Sequence, residues 1–376
     1  MRKKVLLILF LIPVLTGCWD RREIEERTSA VAIGIDLAEN NPEMLEISVQ
    51  IPIPIRIAGS SGSGSSGSGK GSVTVESATG RTVKEATQNL QKKLNQKLFF
   101  GHTRIITISE AAARRGINKL LDPFRRDPEI RRLLWPLIIK GRAIDSLRVS
   151  PHLEQIPTVF IMTMIENGAK KGTVTQMNLG SLFISLTSPA KQPYLNYFQV
   201  KGNELKWSGL AVFKKDRMIG LLNDKDAWAL LRISENKNGS DITYVHEEDP
   251  SQLVTITTQF IGRDEKITFN GQRVSVKIYI EMESNLIEKT FGADLFQTKQ
   301  IDAMEKEAEA HLAKITNRVV QKLQKDLNSD IIGIGDRLRA YHPSIWKKVD
   351  WERAFPQADI EVIFDVKIRN TGMEMS

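Results

Sequence analysis

A chain of 376 residues is too long for one comfortable hydrophobic core, so two or three domains are expected. Its 41% apolar and 26% charged residues are ordinary for globular protein and exclude a disordered or fibrous chain. A formal charge of +8 points to anionic partners, and a single cysteine excludes an internal disulfide.

The first predicted element is an export signal. Arg2, Lys3 and Lys4 precede an apolar run from Val5 to Leu15, interrupted only by Pro13. That is the layout of a positive n-region and a short h-region. A membrane-spanning helix needs roughly 20 apolar residues, more than this run supplies. Leu15-Thr16-Gly17-Cys18 resembles the bacterial lipoprotein box. The resemblance implies a diacylglycerol on the Cys18 thiol, cleavage between Gly17 and Cys18, and N-acylation as a further option. Two acyl chains, at about 0.8 kcal/mol per buried CH₂, anchor stably where one would be marginal. Trp19 would then lie at headgroup depth. Losing Arg2, Lys3 and Lys4 with residues 1–17 takes the charge from +8 to +5. An exported lipoprotein does not ordinarily meet nucleic acid, so an anionic membrane surface or an acidic partner face is the expected counterpart.

Residues 18–27 read as a charged tether, and residues 28–201 as an N-terminal α+β domain. "SAVAIGIDLA" (29–38) is a buried strand. In "VQIPIPIRI", Val49, Ile51, Ile53, Ile55 and Ile57 alternate with polar residues and with Pro52 and Pro54. Two prolines on one edge place this strand at the rim of a sheet. The Gly/Ser tract 59–71 is a flexible hairpin loop. Gly62-x-Gly64-x-x-Gly67 and Gly64-x₄-Gly69-Lys70 brush against nucleotide-binding patterns, but Gly71 and the strand-like "SVTVES" that follow supply neither a Mg²⁺-binding hydroxyl nor a helix. An amphipathic helix over 82–98 follows, then the strand "TRIITIS", then one helix "EAAARRGINKLLDPF" capped by Ser109. Asp127 before Pro128 starts another turn, and "LLWPLIIKG" is a strand. Between Arg104 and Arg142 there are ten Arg or Lys against four Asp or Glu. Arg125, Arg126, Arg131 and Arg132 are the candidate membrane or partner face, set against a merely solvated helix surface. Two helix-like stretches rich in Met, Phe and Ile occupy 151–188.

A small middle domain is expected over 202–250: two strands turning at Lys214–Arg217, then a helix over 224–233. The C-terminal domain, 251–376, opens with three alternating runs, "LVTITTQFI", "KITFNG" and "RVSVKIYIEME", read as an antiparallel meander. A long helix over 301–327, with Asp302 and Glu305 as its N-terminal cap signal, lies across that sheet. The last strand carries Ile360, Val362, Phe364, Val366 and Ile368 inward. The expected fold class is therefore α+β and multi-domain, with mixed or antiparallel sheets flanked by helices.

No catalytic constellation is visible. The five histidines show no metal-ligand spacing, and there is no G-x-S-x-G elbow. His246-Glu247-Glu248-Asp249 reads as a solvated loop. No metal and no cofactor beyond the covalent lipid on Cys18 is expected, and a small-molecule ligand is not.

"LTGCWDRREIEE", "FGHTRIITISEAAARRGINKLLDPFRRDPEIRR", "GLAVFKKDRMIGLL", "IGIGDRLRAYHPSIWKK" and "DVKIRNTGM" together resemble the C subunits of bacterial spore germinant receptors, the Ger(x)C lipoprotein family. The resemblance implies a non-enzymatic protein of about three small domains on the outer face of the spore inner membrane. It would act with integral membrane A and B subunits to trigger germination. Cys18 carries over as the acylated position and Gly17 as the preceding cleavage residue; Trp19, Asp20 and Arg21 match the family signature after the anchor. An extracytoplasmic solute-binding lipoprotein is the alternative, and it would show repeated βαβ units and a two-lobed cleft.

Overall fold

A computed structural model describes residues 27–53, 72–150, 154–235, 239–246, 249, 251–292 and 298–372. Gly17, Cys18, Trp19, Asp20, Arg21 and the Gly/Ser tract lie outside them. The chain opens with β1 (Arg27–Ser29), β2 (Ala32–Ala38), β3 (Asn41–Pro52), β4 (Val73–Gly80), α1 (Val83–Gln91), β5 (Lys97–Phe99) and β6 (Ile105–Ser109). Next come α2 (Glu110–Arg115), α3 (Asn118–Arg126), β7 (Trp135–Lys140), α4 (Ala143–Arg148), α5 (Pro157–Lys170), α6 (Leu179–Thr187), β8 (Tyr194–Lys201), β9 (Glu204–Lys214) and β10 (Arg217–Leu222). The remainder is α7 (Asp224–Glu235), β11 (Asp241–Val245), β12 (Leu253–Phe269), β13 (Val274–Lys289), α8 (Thr298–Gln321), α9 (Ile334–Tyr341), α10 (Pro343–Trp346), α11 (Trp351–Ala354) and β14 (Asp359–Asn370).

An eight-stranded sheet in the order β10-β9-β8-β7-β6-β2-β3-β4 forms the first layer system. Its centre, β2-β6-β7-β8, is parallel, and antiparallel hairpins close both ends. Parallel strands need crossovers and are covered on both faces, which is why their sequences are nearly continuous apolar runs. Ile33, Ile106 and Ile138 pack on one face, and Ala32, Ile105 and Leu137 pack with α5 residues Ile161 and Ile165 on the other. Parallel βαβ connections are therefore present within this one sheet.

Several boundaries differ from expectation for identifiable reasons. β3 is not a rim strand: it sits between β2 and β4. Pairing with β2 ends at Gln50, and Ile53 N–H donates to Ser72 O of the β4 side, so the nitrogen of Pro52 faces the side where no strand remains. Pro54 lies outside the described residues. The 82–98 helix stops at Gln91, whose side-chain amide donates to Gln96 O and whose Oε1 accepts from Leu98 N, diverting the chain into β5. Ser109 does cap α2, but Gly116, at φ +128°, splits the expected single helix into α2 and α3. "LVTITTQFI" and "KITFNG" are one strand, β12, bulged between Thr258 and Phe260.

Residue 202, where a boundary is expected, lies in the β8–β9 hairpin. β9 and β10 complete the large sheet, while β11 opens the second one. That sheet, β11-β12-β13-β14, is antiparallel except for β14, which joins parallel to β13 after the α8 crossover. α8 begins at Thr298 and ends in a π-helical turn, Lys322–Asp326. Asp302 and Glu305 are thus inside the helix and not at its start. Glu305 is buried and accepts from Ile368 N and Lys367 Nζ of β14.

One apolar cluster runs from Ile33 in the first sheet to Ile368 in the second. Polar staples cross the same junction. Buried Arg232 of α7 donates to Gly172 O and Gly239 O and stacks on Trp228; desolvation pulls its pKa down to about 10. Asp226 holds both Arg318 and Lys322 of α8.

Candidate functional site: a basic face at one end of the parallel strands

The four candidate arginines occupy the end of α3 and the loop that leads into β7. Their placement follows from a row of backbone bonds: Arg104 N–H donates to Val31 O, and Trp135 N–H donates to Arg104 O, both at 2.9 Å. Val31 and Arg104 stand just before the starts of β2 and β6, and Trp135 is the first residue of β7. The loop 127–134 therefore lies at the same end of the sheet as the entry of the chain through β1. α6 is clamped beneath it, since Leu179 N–H and Gly180 N–H donate to Leu134 O and Arg132 O.

The structure brings Arg125 and Arg132 together and leaves the other two apart. Both stack on Phe183 of α6, with guanidinium carbons 4.5 and 5.2 Å from the ring centroid. Arg132 also donates to Arg125 O at 3.0 Å. Arg126 pairs with Asp122 one turn back at 2.9 Å, an exposed i,i+4 contact that holds that carboxyl below its ordinary range. Arg131 is exposed, and among the described residues neither it, Arg125 nor Arg132 has a carboxylate partner. Asp127 is used locally: its carboxylate accepts from Glu129 N, making a turn.

Two residues that sequence reasoning missed complete the face. Leu133 and Ile184 are 76% and 72% exposed, extreme for large aliphatics. A Cβ built on Gly180 would lie 3.5 Å from Arg132 Cβ. Ile184, one helical turn beyond Gly180, stands on that same side of α6. The available signal was the run Arg131-Arg132-Leu133-Leu134, where the alternation needed to hide one leucine exposes the other.

Elsewhere the structure revises single residues. His246 is not in a solvated loop: its Nδ1 lies 2.8 Å from Glu307 and its ring stacks on Phe291 at 4.5 Å. Glu247 and Glu248 lie outside the described residues. No group of three or more His, Cys, Asp or Glu among the described residues is arranged to hold a metal, and no helix among them is long and apolar enough to cross a membrane. A cleft of about 650 Å³ between α7, β11 and α8 is lined by Trp207, Trp228, His311 and Arg318. Burial, with help from Lys314 and Lys225, lowers the pKa of His311. The folded state thus binds fewer protons there than the unfolded chain, so this residue's contribution to stability falls as pH drops below about 6.5. Thermal melts at neutral and mildly acidic pH should show a smaller acid loss for His311→Gln than for the wild-type chain.

The class defined so far is an α+β body built on an eight-stranded and a four-stranded sheet, with a two-stranded β1–β5 sheet beside them, no catalytic set in view among the described residues, and one basic, partly apolar end beside its point of chain entry. Residues 20–200 match the family described as spore germination protein N-terminal domain, and residues 208–372 match "Spore germination B3/ GerAC like, C-terminal". The chain belongs to this family of spore germinant receptor C subunits. It is 28% identical to spore germination protein YndF of Bacillus subtilis, covering 98% of this chain and 96% of that protein. It is 25% identical to spore germination protein KC of the same organism, covering 99% and 97%. The crystal structure of the GerBC protein shares the fold, with a TM-score of 0.60 at 18% identity over 90% of this chain and 97% of that one.

Proposed function

We propose that the chain is the lipid-anchored, non-enzymatic C subunit of a nutrient germinant receptor, held by Cys18 on the outer face of the spore inner membrane and acting there with membrane-embedded A and B subunits. The observation that carries this reading is the continuity of the family match. It starts at residue 20, two positions after the lipoprotein-box cysteine, and runs to residue 372. An anchor at Cys18 also supplies the membrane attachment that no helix among the described residues provides. A germination role without a catalytic set fits a body whose output is contact with other subunits.

Mass spectrometry of the protein from spore membranes tests the anchor: Cys18 is expected as the new N-terminus, bearing a diacylglycerol. Cys18→Ser should move the protein out of the membrane fraction and abolish the nutrient response without altering the melting temperature. Co-purification tests the partnership, and recovery of the chain free of A and B subunits refutes it.

A further inference from the structure

We propose that the end of the large sheet bearing Arg125, Arg131, Arg132, Leu133 and Ile184 is the membrane-facing end of the body, docked on an anionic phospholipid surface. The proposal rests on the anchor at Cys18 and adds the orientation of the folded part, which the anchor alone leaves open.

Three observations converge on this face. The first is reach. Nine residue steps separate Cys18 from Arg27, the first described residue, so the thiol lies at most about 30 Å of chain from β1. β1 leads straight to Val31, and Val31, Arg104 and Trp135 form one hydrogen-bonded row across adjacent strands. Strand spacing of about 4.8 Å puts Trp135, next to the Leu133 loop, roughly 10 Å from Val31. The tether therefore leaves the body at the end where the arginines are. A short leash favours contact between that end and the bilayer over contact by any surface at the far side of the sheet.

The second is charge. Arg125, Arg131 and Arg132 lack carboxylate partners among the described residues, and Arg125 Nε is buried without a hydrogen-bond partner. Stacking on Phe183 holds two of these guanidinium groups in place, so little side-chain entropy remains to be lost when phosphate oxygens arrive. The third is the pairing of that charge with exposed aliphatics. Leu133 follows Arg131 and Arg132 directly, and Ile184 lies one helical turn from Gly180, whose backbone abuts Arg132. Basic groups flanking apolar side chains match the headgroup–acyl boundary of an anionic bilayer, where each finds its own environment.

The test uses the whole acylated protein in vesicles of equimolar phosphatidylglycerol and phosphatidylcholine. Cys18 is the only cysteine, and acylation removes it from labelling, so Leu133→Cys, Ile184→Cys and Glu204→Cys each provide one fluorophore site. Glu204 is exposed just past the C-terminal end of β8, at the opposite end of the sheet. Headgroup spin-labelled lipid should quench the labels at 133 and 184 and spare the label at 204. Equal quenching at all three, or stronger quenching at 204, overturns the proposal.

A second arm separates this face from the anchor. The chain from residue 18 onward with Cys18→Ser should bind phosphatidylglycerol vesicles weakly and phosphatidylcholine vesicles not at all. Arg131→Gln should weaken that binding about fivefold, and Leu133→Ser with Ile184→Ser should weaken it further. Binding that ignores these exposed substitutions sinks the docking face while leaving the lipidation reading intact. An unacylated Cys18 in the native protein would sink the anchor, and the vesicle result for the serine variant would still judge the face. Crosslinks from positions 133 and 184 to an integral membrane protein, with no lipid quenching, would reassign the face to a protein partner and overturn the proposal.

Discussion

Asp330→Ala should cost roughly 3–5 kcal/mol of folding stability, a large part of the 5–15 kcal/mol that holds a typical domain. The side chain is 4% exposed overall, and its two oxygens accept from Gly333 N and Gly335 N at 2.8 Å, from Ile334 N at 3.3 Å and from the Trp351 indole at 2.9 Å. The three backbone donors are orphans at the start of α9, where Gly333 adopts φ +83°, and the indole reaches in from the start of α11. Alanine would leave four N–H groups without acceptors in a place water does not reach. Its neighbours extend the damage across the junction: Gln192 N–H donates to Asp330 O, and Ser329 Oγ donates to Phe213 O in β9. Asp330→Asn keeps an acceptor for Gly333 but turns an amide N–H toward donors, so it should recover only part of the loss. Urea unfolding followed by intrinsic tryptophan fluorescence measures both; a midpoint within error of wild type for alanine would contradict the network.

Asp330 also marks where sequence reading stops. Apolar alternation located β12, β13 and β14, and helical spacing located α8, because each of those elements buries one stripe and repeats it over a dozen or more residues. Nothing periodic identifies a lone carboxylate after Ser329; its value comes from four donors delivered by residues 333 to 351. Sheet membership failed for the same reason. Pro52 and Pro54 gave a sound argument about a missing donor, yet which strand lies alongside β3 is decided by the distant β4 and β2. The turn after β8 carried boundary-like signals at Gly202, and only the register of β8 on β9 reveals that the sheet continues through it.

The basic face was half legible. Charge counting found Arg125, Arg126, Arg131 and Arg132, but it could not sort them. Arg126 spends its charge on Asp122 within its own helix, while Arg125 and Arg132 converge on Phe183, more than fifty residues downstream. That convergence is a tertiary fact. So is the exposure of Ile184, which by composition belongs to an apolar helix and by position has nothing to pack on.

Leu312→Asp is expected to unfold the C-terminal half outright. Leu312 is fully buried on the face of α8 that crosses the second sheet, in the cluster that includes Val362, Phe364 and Val366 of β14. Losing the leucine's burial removes about 1.5–3 kcal/mol. A carboxylate in its place adds a desolvation cost of several kcal/mol with no cation positioned to meet it. Together these exceed what a typical domain can lose. The comparison residue is one turn along the same helix. Ile315 is only half-buried and lines the open cleft with His311 and Arg318, so Ile315→Asp can turn its charge toward water. It should therefore stay folded with a lower melting point. Because the apolar cluster continues from this sheet into the first, the Leu312 variant is also expected to lose protection around β9 and α7 when probed by hydrogen exchange. If Leu312→Asp and Ile315→Asp melted alike, α8 would not be packed on the sheet as described, and the crossover that sets β14 parallel to β13 would lose its support.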